Sequence, residues 1–482
     1  MKTDEAYRKI LVSLKKRMKG ATIADVCADT ALPLSEVSDL LPKAADEYSG
    51  HLKVTSSGEI LYHFPGGFIN RYRGFAAVFK RFFDKITNVV KKGLALLFKV
   101  WIMVMLIGYF VLFLAIALAS VFIQIAAKAN DKGGSGGSLQ FGLFNILFRI
   151  WFFSEITRPN DRYRNNTVKP KKEKRPMHKA IFSFVFGDDD PDKNWEEIQN
   201  SAIINYIQAN SGVISLVEYM AFTGGDSIEA EKNILAFCSK FEGSPEITEE
   251  GTIVYRFEKL LLRLSPEKND NLIPPLKKQK IFSKNKKGQN IWFIAINAFN
   301  LLFGSYFLYQ SAAAGPLIDL IQYQAAPAIY SYTHYFLQFI MEEPHNFIRI
   351  VLGIVPLVFS LFFWLIPAVR YLFMKKDNSA IKLLNFKKSG FRRIWSSPCN
   401  IEKESFKIQP DDFNINDQNR AFDRVIKDIG AVSVPDIEVA DNGNAFYSFK
   451  ELEKEKKAIE KYRKNIDAQK FQLGVIEFDS AK

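Results

Sequence analysis

The chain has little with which to do chemistry. Its 482 residues include three cysteines (Cys27, Cys238 and Cys399) and five histidines. The cysteines lie far apart, and no CxxC, HExxH or mixed Cys/His spacing occurs, so neither a disulfide framework nor a zinc site has support. Cys27 and Cys238 read instead as small buried hydrophobes on helices. The stretch GGSGG at 133–137 lacks the GK[ST] that completes a phosphate-binding loop, so it reads as a turn beside a membrane span. FGDDDPD at 186–192 lacks EF-hand spacing and reads as the approach to a helix, with Asp192 or Asn194 as its cap. No catalytic residue, metal or cofactor is expected. The amino-terminal stretch MKTDEAYRKILVSLKKRMKG is charged and has no apolar core of the kind that a secretory signal needs.

Charge is scarce along four apolar runs. The longest goes from Gly93 to Ala127, well beyond the roughly 20 residues that cross a bilayer as helix. A shorter run, Leu139 to Ile156, contains Arg149, and two placements fit it, a returning span or a helix lying in the interface. Lys80, Arg81, Lys85, Lys91 and Lys92 precede the first run, and a dense basic stretch from Arg158 to Lys179 follows the second. Basic flanks mark the cytoplasmic side, and two such flanks require an even number of crossings, which favours the returning span. A second pair runs from Ile291 to Ala313 and from Phe347 to Met374, again with lysines outside both ends. Between them, residues 314–345 contain no Lys or Arg, which assigns that loop to the outer side. Asn297 and Asn300 fall on one helix face and read as glue between helices; Pro356 and Pro367 read as bends. No charged residue sits mid-span, so a transporter or channel ranks third among the functions weighed.

Outside the spans, one hairpin pattern is written three times. GEILYHF starts at Gly58, GTIVYRF at Gly251 and GNAFYSF at Gly443. Counting from each glycine, Ile60, Ile253 and Ala445 share one position; Tyr62, Tyr255 and Tyr447 the next; and Phe64, Phe257 and Phe449 the last. This period of two belongs to one face of a strand, and Val54, Ile247 and Val439 hold one register on the strand opposite. Upstream, Val37, Leu41 and Ala44 match Ala230, Ile234 and Phe237, and also Phe422, Ile426 and Ile429, with the spacing of a helical stripe. The first two units carry an amphipathic helix, DEAYRKILVSLKKRM or WEEIQNSAIINYIQAN, and a short second helix, TIADVCADT or VISLVEYMAF, before this one. The third has none that can be recognised, and CNIEKESFKIQPDDFNI stands there as a degenerate remnant.

Three helices followed by a β-hairpin resemble the winged-helix superfamily. The resemblance covers roughly residues 5–64 and 195–258 and, less completely, 417–450. It implies a small α+β domain whose third helix and wing bind a partner, which in many members is DNA. Here the third helices argue against phosphate. The first offers Glu36, Asp39, Asp46 and Glu47 against Lys43; the second offers Asp226, Glu229, Glu231 and Glu242 against Lys232 and Lys240. Only the third is mixed, with Arg420, Arg424 and Lys427 beside Asp417, Asp423 and Asp428. The net charge of +13 gathers instead at the membrane flanks, where lipid headgroups account for it.

The fold class expected is therefore membrane α-helical, about four spans in two hairpins, with repeated small α+β winged-helix-like cytoplasmic domains. The domains read as a winged-helix-like unit 1 at 1–66, a first membrane hairpin at 93–156, a basic linker at 157–194 and unit 2 at 195–260. A second basic linker at 261–287, a second membrane hairpin at 288–375, a partial unit 3 at 396–450 and a charged helix at 451–472 complete the chain. That last helix, with Leu452, Ile459 and Ile466 at heptad spacing, reads as solvated and leaning on the third wing. The function expected is a non-enzymatic scaffold in the cell membrane, with both termini cytoplasmic, binding cytoplasmic proteins through Glu36, Asp39, Glu229, Glu231, Arg420, Arg424 and Lys427. The alternative is a membrane-tethered DNA-binding regulator.

Overall fold

The computed structural model describes residues 2–68, 71, 75–130, 175–264, 272–314, 328–403, 415–440, 444–466 and 473–480. The second apolar run at 139–156, the glycine turn at 133–137, the basic stretch 157–174 and the third wing glycine, Gly443, lie outside them. The described residues are mostly helical, with strands gathered in three small sheets. Two compact units are present. One comprises Met1–Asp84, Asp189–Lys280 and Lys375–Lys482; the other comprises Lys85–Asp188 and Ile281–Met374.

The chain opens with α1 (Lys2–Lys16), which buries Ala6, Ile10 and Leu14 at helical spacing. Thr22 then caps α2 (Ile23–Thr30): its hydroxyl accepts the Asp25 amide while the Asp25 carboxylate accepts the Thr22 amide. The third helix, α3 (Leu34–Glu47), buries Val37, Leu41 and Ala44. Strands β1 (His51–Thr55) and β2 (Ile60–His63) form an antiparallel hairpin in which Leu52 faces Tyr62 and Val54 faces Ile60. Gly58 turns it with a φ of 81°, which a side chain disfavours. Ala21, between the first two helices, bridges to Tyr62.

The next helices are α4 (Phe75–Met103), a π-helical turn at Val104–Gly108, α5 (Tyr109–Asn130) and α6 (Met177–Phe186). The elements α7 (Trp195–Ala209), β3 (Val213–Ile214), α8 (Leu216–Thr223), α9 (Ser227–Phe241), β4 (Ser244–Ile247) and β5 (Ile253–Arg256) then repeat the opening order. Ser215 and Glu218 form a reciprocal cap on α8, separated from Thr22 and Asp25 by the same interval that separates Tyr255 from Tyr62. Ile214 pairs with Tyr255, as Ala21 does with Tyr62.

A long helix, α10 (Lys287–Ala314), is followed by α11 (Ala328–Gln338), α12 (Pro344–Phe347), a second π-helical stretch at Ile348–Ile354 and α13 (Val355–Ser396). Three helical stretches, Val89–Ile125, Lys287–Ala313 and Pro344–Ser396, are long and apolar enough to cross a membrane. Pro356 stands just after the second π stretch and Pro367 within α13.

The last elements are β6 (Ile401–Glu402), α14 (Ile415–Gly430), β7 (Asp436–Val439), β8 (Ala445–Ser448), α15 (Lys450–Asn465) and β9 (Ile476–Asp479). Ile401 pairs with Tyr447, so the wing tyrosine meets a short strand in the second and third sheets and an isolated bridge from Ala21 in the first.

Several boundaries differ from those read in the sequence. Helix α13 does not stop near Lys375 but continues to Ser396, and Phe386, Phe391 and Ile394 are buried in the core beside α14 and the third wing. The segment preceding β6 is thus helix packed into the third sheet's core, while residues 404–414 of the stretch CNIEKESFKIQPDDFNI lie outside the described residues. Residues 177–186 are no linker: Ala180, Ile181, Phe184 and Val185 are buried against Ile102, Leu106, Phe293 and Phe363 in the second unit. The stretch 272–280 packs along α13, with Asn385 exchanging hydrogen bonds with Lys277, and Asn378 with Lys280. Asn194 takes the N-cap position of α7 without a side-chain cap bond, while Asp192 accepts the Lys278 amide at 2.7 Å. Helix α15 is not solvated on all sides, since Leu452 and Ile459 are fully buried, the latter with Val213 and Val254 of the second sheet.

In the second unit, the π-helical turn at Val104–Gly108 offers a carbonyl to a neighbouring helix as well as to its own backbone. Leu106 O accepts Asn300 Nδ2 at 2.7 Å, Val351 O in the other π stretch accepts Tyr109 Oη at 2.9 Å, and Asn297 Nδ2 donates to Ser360 O at 3.0 Å. The two asparagines join helices, as their spacing implies. Gly304 and Gly353 let α10 and the second π stretch touch through backbone: a Cβ on Gly353 would lie 3.1 Å from the Leu308 backbone.

Candidate functional site

Helices α3, α9 and α14 each bury one stripe and leave another to solvent. On α3, Asp39 is exposed and Glu36 half-buried; on α9, Glu229 and Glu231 are both exposed. The N-cap of α9 is Asp226, whose side chain accepts the Glu229 amide at 2.9 Å, so this acid is partly spent on the helix end. Glu229 also lines an open polar cavity of about 320 Å³ with Glu196, Asn200, Tyr219, Asn233 and Lys240.

On α14 the outer stripe is basic. Arg420, Arg424 and Lys427 are exposed and follow the four-then-three spacing of one helix face. Two of the three acids on this helix are engaged elsewhere: Asp423 pairs with Lys403 at 3.0 Å and Asp428 with Lys387 at 2.8 Å, while Asp417 stands in the first turn. Among the described residues, no acid pairs with the three basic side chains. The balance that looked mixed in sequence therefore resolves into a cationic stripe.

The wing residues divide. Tyr62, Phe64, Tyr255, Phe257 and Phe449 are buried, and Tyr447 is half-buried with its ring edge-on to Phe422. Ile60 and Ile253, expected in the same core, are 37% and 56% exposed. Each lies two positions beyond a turn glycine, and Ile253 pairs only with the equally exposed Ile247, so the wing tip runs past its helix layer. The Phe64 and Phe257 rings instead cover Gly50 and Gly243: a Cβ on either glycine would meet the ring closer than contact allows. The third unit has Pro435 at this position.

Residues that sequence reasoning missed tie these elements together. Arg463 of α15 places Nη2 2.6 Å from Glu218, whose carboxylate also takes the Tyr206 hydroxyl at 2.6 Å. Lys461 bridges Glu249 and Glu250 in the second wing turn, and Tyr462 donates to Glu246. Strand β9 adds to the outer edge of β1, with Lys53 paired to Asp479 at 3.2 Å. The carboxy-terminal stretch thus joins the third unit to the second and then to the first. The reciprocal caps Thr22/Asp25 and Ser215/Glu218 were visible as [ST]-x-x-[DE] signals; the α15 contacts had no local signal.

Among the described residues, no group of three or more His, Cys, Asp or Glu side chains could hold a metal ion. Burial pushes the Cys27 thiol up to about 12 and the Cys238 thiol up to about 11, which makes both inert small hydrophobes rather than nucleophiles.

No known family model matches the chain, and no solved structure matches it. An uncharacterized chloroplastic protein of Arabidopsis thaliana is similar over 393 residues at 25% identity, which covers 78% of this chain and 70% of that protein.

Proposed function

We propose that this chain is an integral membrane scaffold: three winged-helix-like units on its basic, cytoplasmic face hold protein partners, and no catalytic step is assigned to it. Three helices and a hairpin recur in the first two units, and the pairs Ala21–Tyr62, Ile214–Tyr255 and Ile401–Tyr447 recur across all three. Both support one domain written three times, with α13 supplying the first helix of the last copy. The observation that carries the scaffold reading is the solvent face of the third helices: α3 and α9 offer Asp39, Glu229 and Glu231, which repel phosphate and suit basic protein surfaces. Several weak sites on one chain gain by avidity.

The reading takes the cell membrane as location, with lipid and cytoplasmic proteins as partners. The chloroplastic relative makes a plastid-type membrane the alternative for the same architecture. The test is photo-crosslinking of the full chain from positions 39 and 231 in cells. Protein adducts at both positions support the scaffold; DNA adducts without protein overturn it.

The stripe Arg420–Arg424–Lys427 favours a second reading, nucleic-acid binding by the third unit alone. Replacing all three by Gln and measuring DNA retention by the full chain at physiological salt separates the two. Retention lost with these charges supports the DNA reading; no retention by the unaltered chain removes it.

A further inference from the structure

The three wings have corresponding outer strands, β1, β4 and β7, and the molecule treats the three edges differently. The outer edge of β1 is covered by β9, with Val54 opposite Phe478 and Lys53 opposite Asp479. The β4 edge contains Pro245, which has no amide hydrogen to give, and its Glu246 is held by Arg256 and Tyr462. Strand β7 has neither protection. All four of its residues are exposed, and Ile437 and Val439 keep 58% and 69% of their surface. Among the described residues, no strand pairs with its outer side. An uncovered apolar edge is a template for another strand unless something blunts it.

The charge on β7 specifies what such a strand must carry. In the shared register Val439 corresponds to Val54, so Glu438 stands where Lys53 stands in the first wing. Asp436 is already neutralised by Lys450 at 2.9 Å, whereas Glu438 has no ion-pair partner among the described residues. A strand like β9 would set Asp479 opposite Glu438, and like charges directly opposite one another repel. The tail of a second copy is thereby disfavoured. We propose that the outer edge of β7 binds an extended segment of another protein in which a Lys or Arg, opposite Glu438, is flanked by apolar residues beside Ile437 and Val439. Main-chain hydrogen bonds supply affinity and Glu438 supplies selection, the usual division in strand addition. The inference rests on the scaffold reading and names one of its surfaces.

The experiment measures fluorescence anisotropy of two labelled peptides, Thr-Val-Arg-Val-Arg-Val-Thr and Thr-Val-Glu-Val-Glu-Val-Thr, with the full chain in detergent at about 0.15 M salt, where long-range charge effects are screened. The arginine peptide is expected to bind about tenfold more tightly than the glutamate peptide, and Glu438→Lys is expected to invert that order. Asp4→Lys, a charge change on α1 and remote in sequence from β7, is expected to leave it unchanged. Equal binding of the two peptides, an order unaffected by Glu438→Lys, or the same shift with Asp4→Lys overturns the proposal. Crosslinking from positions 39 and 231 in cells separates the two ideas. Protein adducts without peptide preference remove the β7 edge alone, and no protein adducts remove the scaffold as well.

Discussion

Arg463 lies 2.6 Å from Glu218 and leaves that carboxylate 1% exposed. Glu218 is also the third residue of the α8 cap, where it accepts the Ser215 amide at 2.9 Å. One buried acid therefore closes a helix end and anchors the carboxy-terminal helix. Arg463→Ala strands the acid, a change that costs about 3–5 kcal/mol for a buried pair broken on one side. Denaturant unfolding of the full chain checks this, with the double variant Glu218→Gln/Arg463→Met expected to lose less than Arg463→Ala alone.

Gly50 and Gly243 hold the same offset from the turn glycines Gly58 and Gly251 and serve as floors for Phe64 and Phe257. Gly243→Ala drives a methyl into the Phe257 ring, and overpacking of this kind costs about 1–3 kcal/mol. Gly251 has open space around its Cβ position but a φ of +84°, so Gly251→Ala suffers from backbone strain instead. Pairing Gly243→Ala with Phe257→Leu is expected to recover stability, whereas Gly251→Ala with Phe257→Leu is not. Thermal unfolding midpoints of the four proteins decide it.

How far the chain was legible follows from such details. The hairpins could be read because strand period, turn glycine and opposing register are all local. The full reach of α13 could not. Helix α13 passes from its apolar run into the lysine-rich stretch from Lys375 with no cap or breaker, so the composition shift looked like a boundary while the helical stripe through Phe391 and Ile394 continued. The fate of α15 was hidden for another reason. Its partners Glu218, Glu246 and Glu249 lie over two hundred residues away, and nothing near Arg463 signals them. The cationic stripe on α14 was masked by Asp423 and Asp428, whose pairing to Lys403 and Lys387 is tertiary.

Within the second unit, Gly353 meets the Leu308 backbone and Gly304 meets Leu357 and Gly353. Gly353→Val must part these helices and is expected to cost about 1–3 kcal/mol. Asn300→Leu removes the donor to Leu106 O and is expected to cost less, about 0.6–1.7 kcal/mol. Unfolding in mixed micelles ranks the two; a larger loss for Asn300→Leu contradicts the packing described.

Asp188 provides a pH test. Burial raises its carboxyl, but hydrogen bonds from Arg175, Ser183 and the Lys284 amide outweigh that and hold it at about 2. A carboxyl lowered from roughly 3.9 in the unfolded chain stabilises fully above that value. The contribution fades as pH falls from about 4 through about 2. The stability gap between the unaltered chain and Asp188→Asn is expected to be constant above about pH 5 and to close on acidification. A gap that widens towards acid contradicts the assignment.

The central claim is that all three wings stand on one side of the bilayer, opposite Glu342. It is tested by labelling intact cells with a membrane-impermeant maleimide at Cys399 and at single cysteines replacing Ser57, Glu250 or Glu342. The account predicts reaction at position 342 in sealed cells, and at 57, 250 and 399 only after the membrane is opened. Labelling of any wing position in sealed cells, or protection of 342 together with the wings, contradicts it.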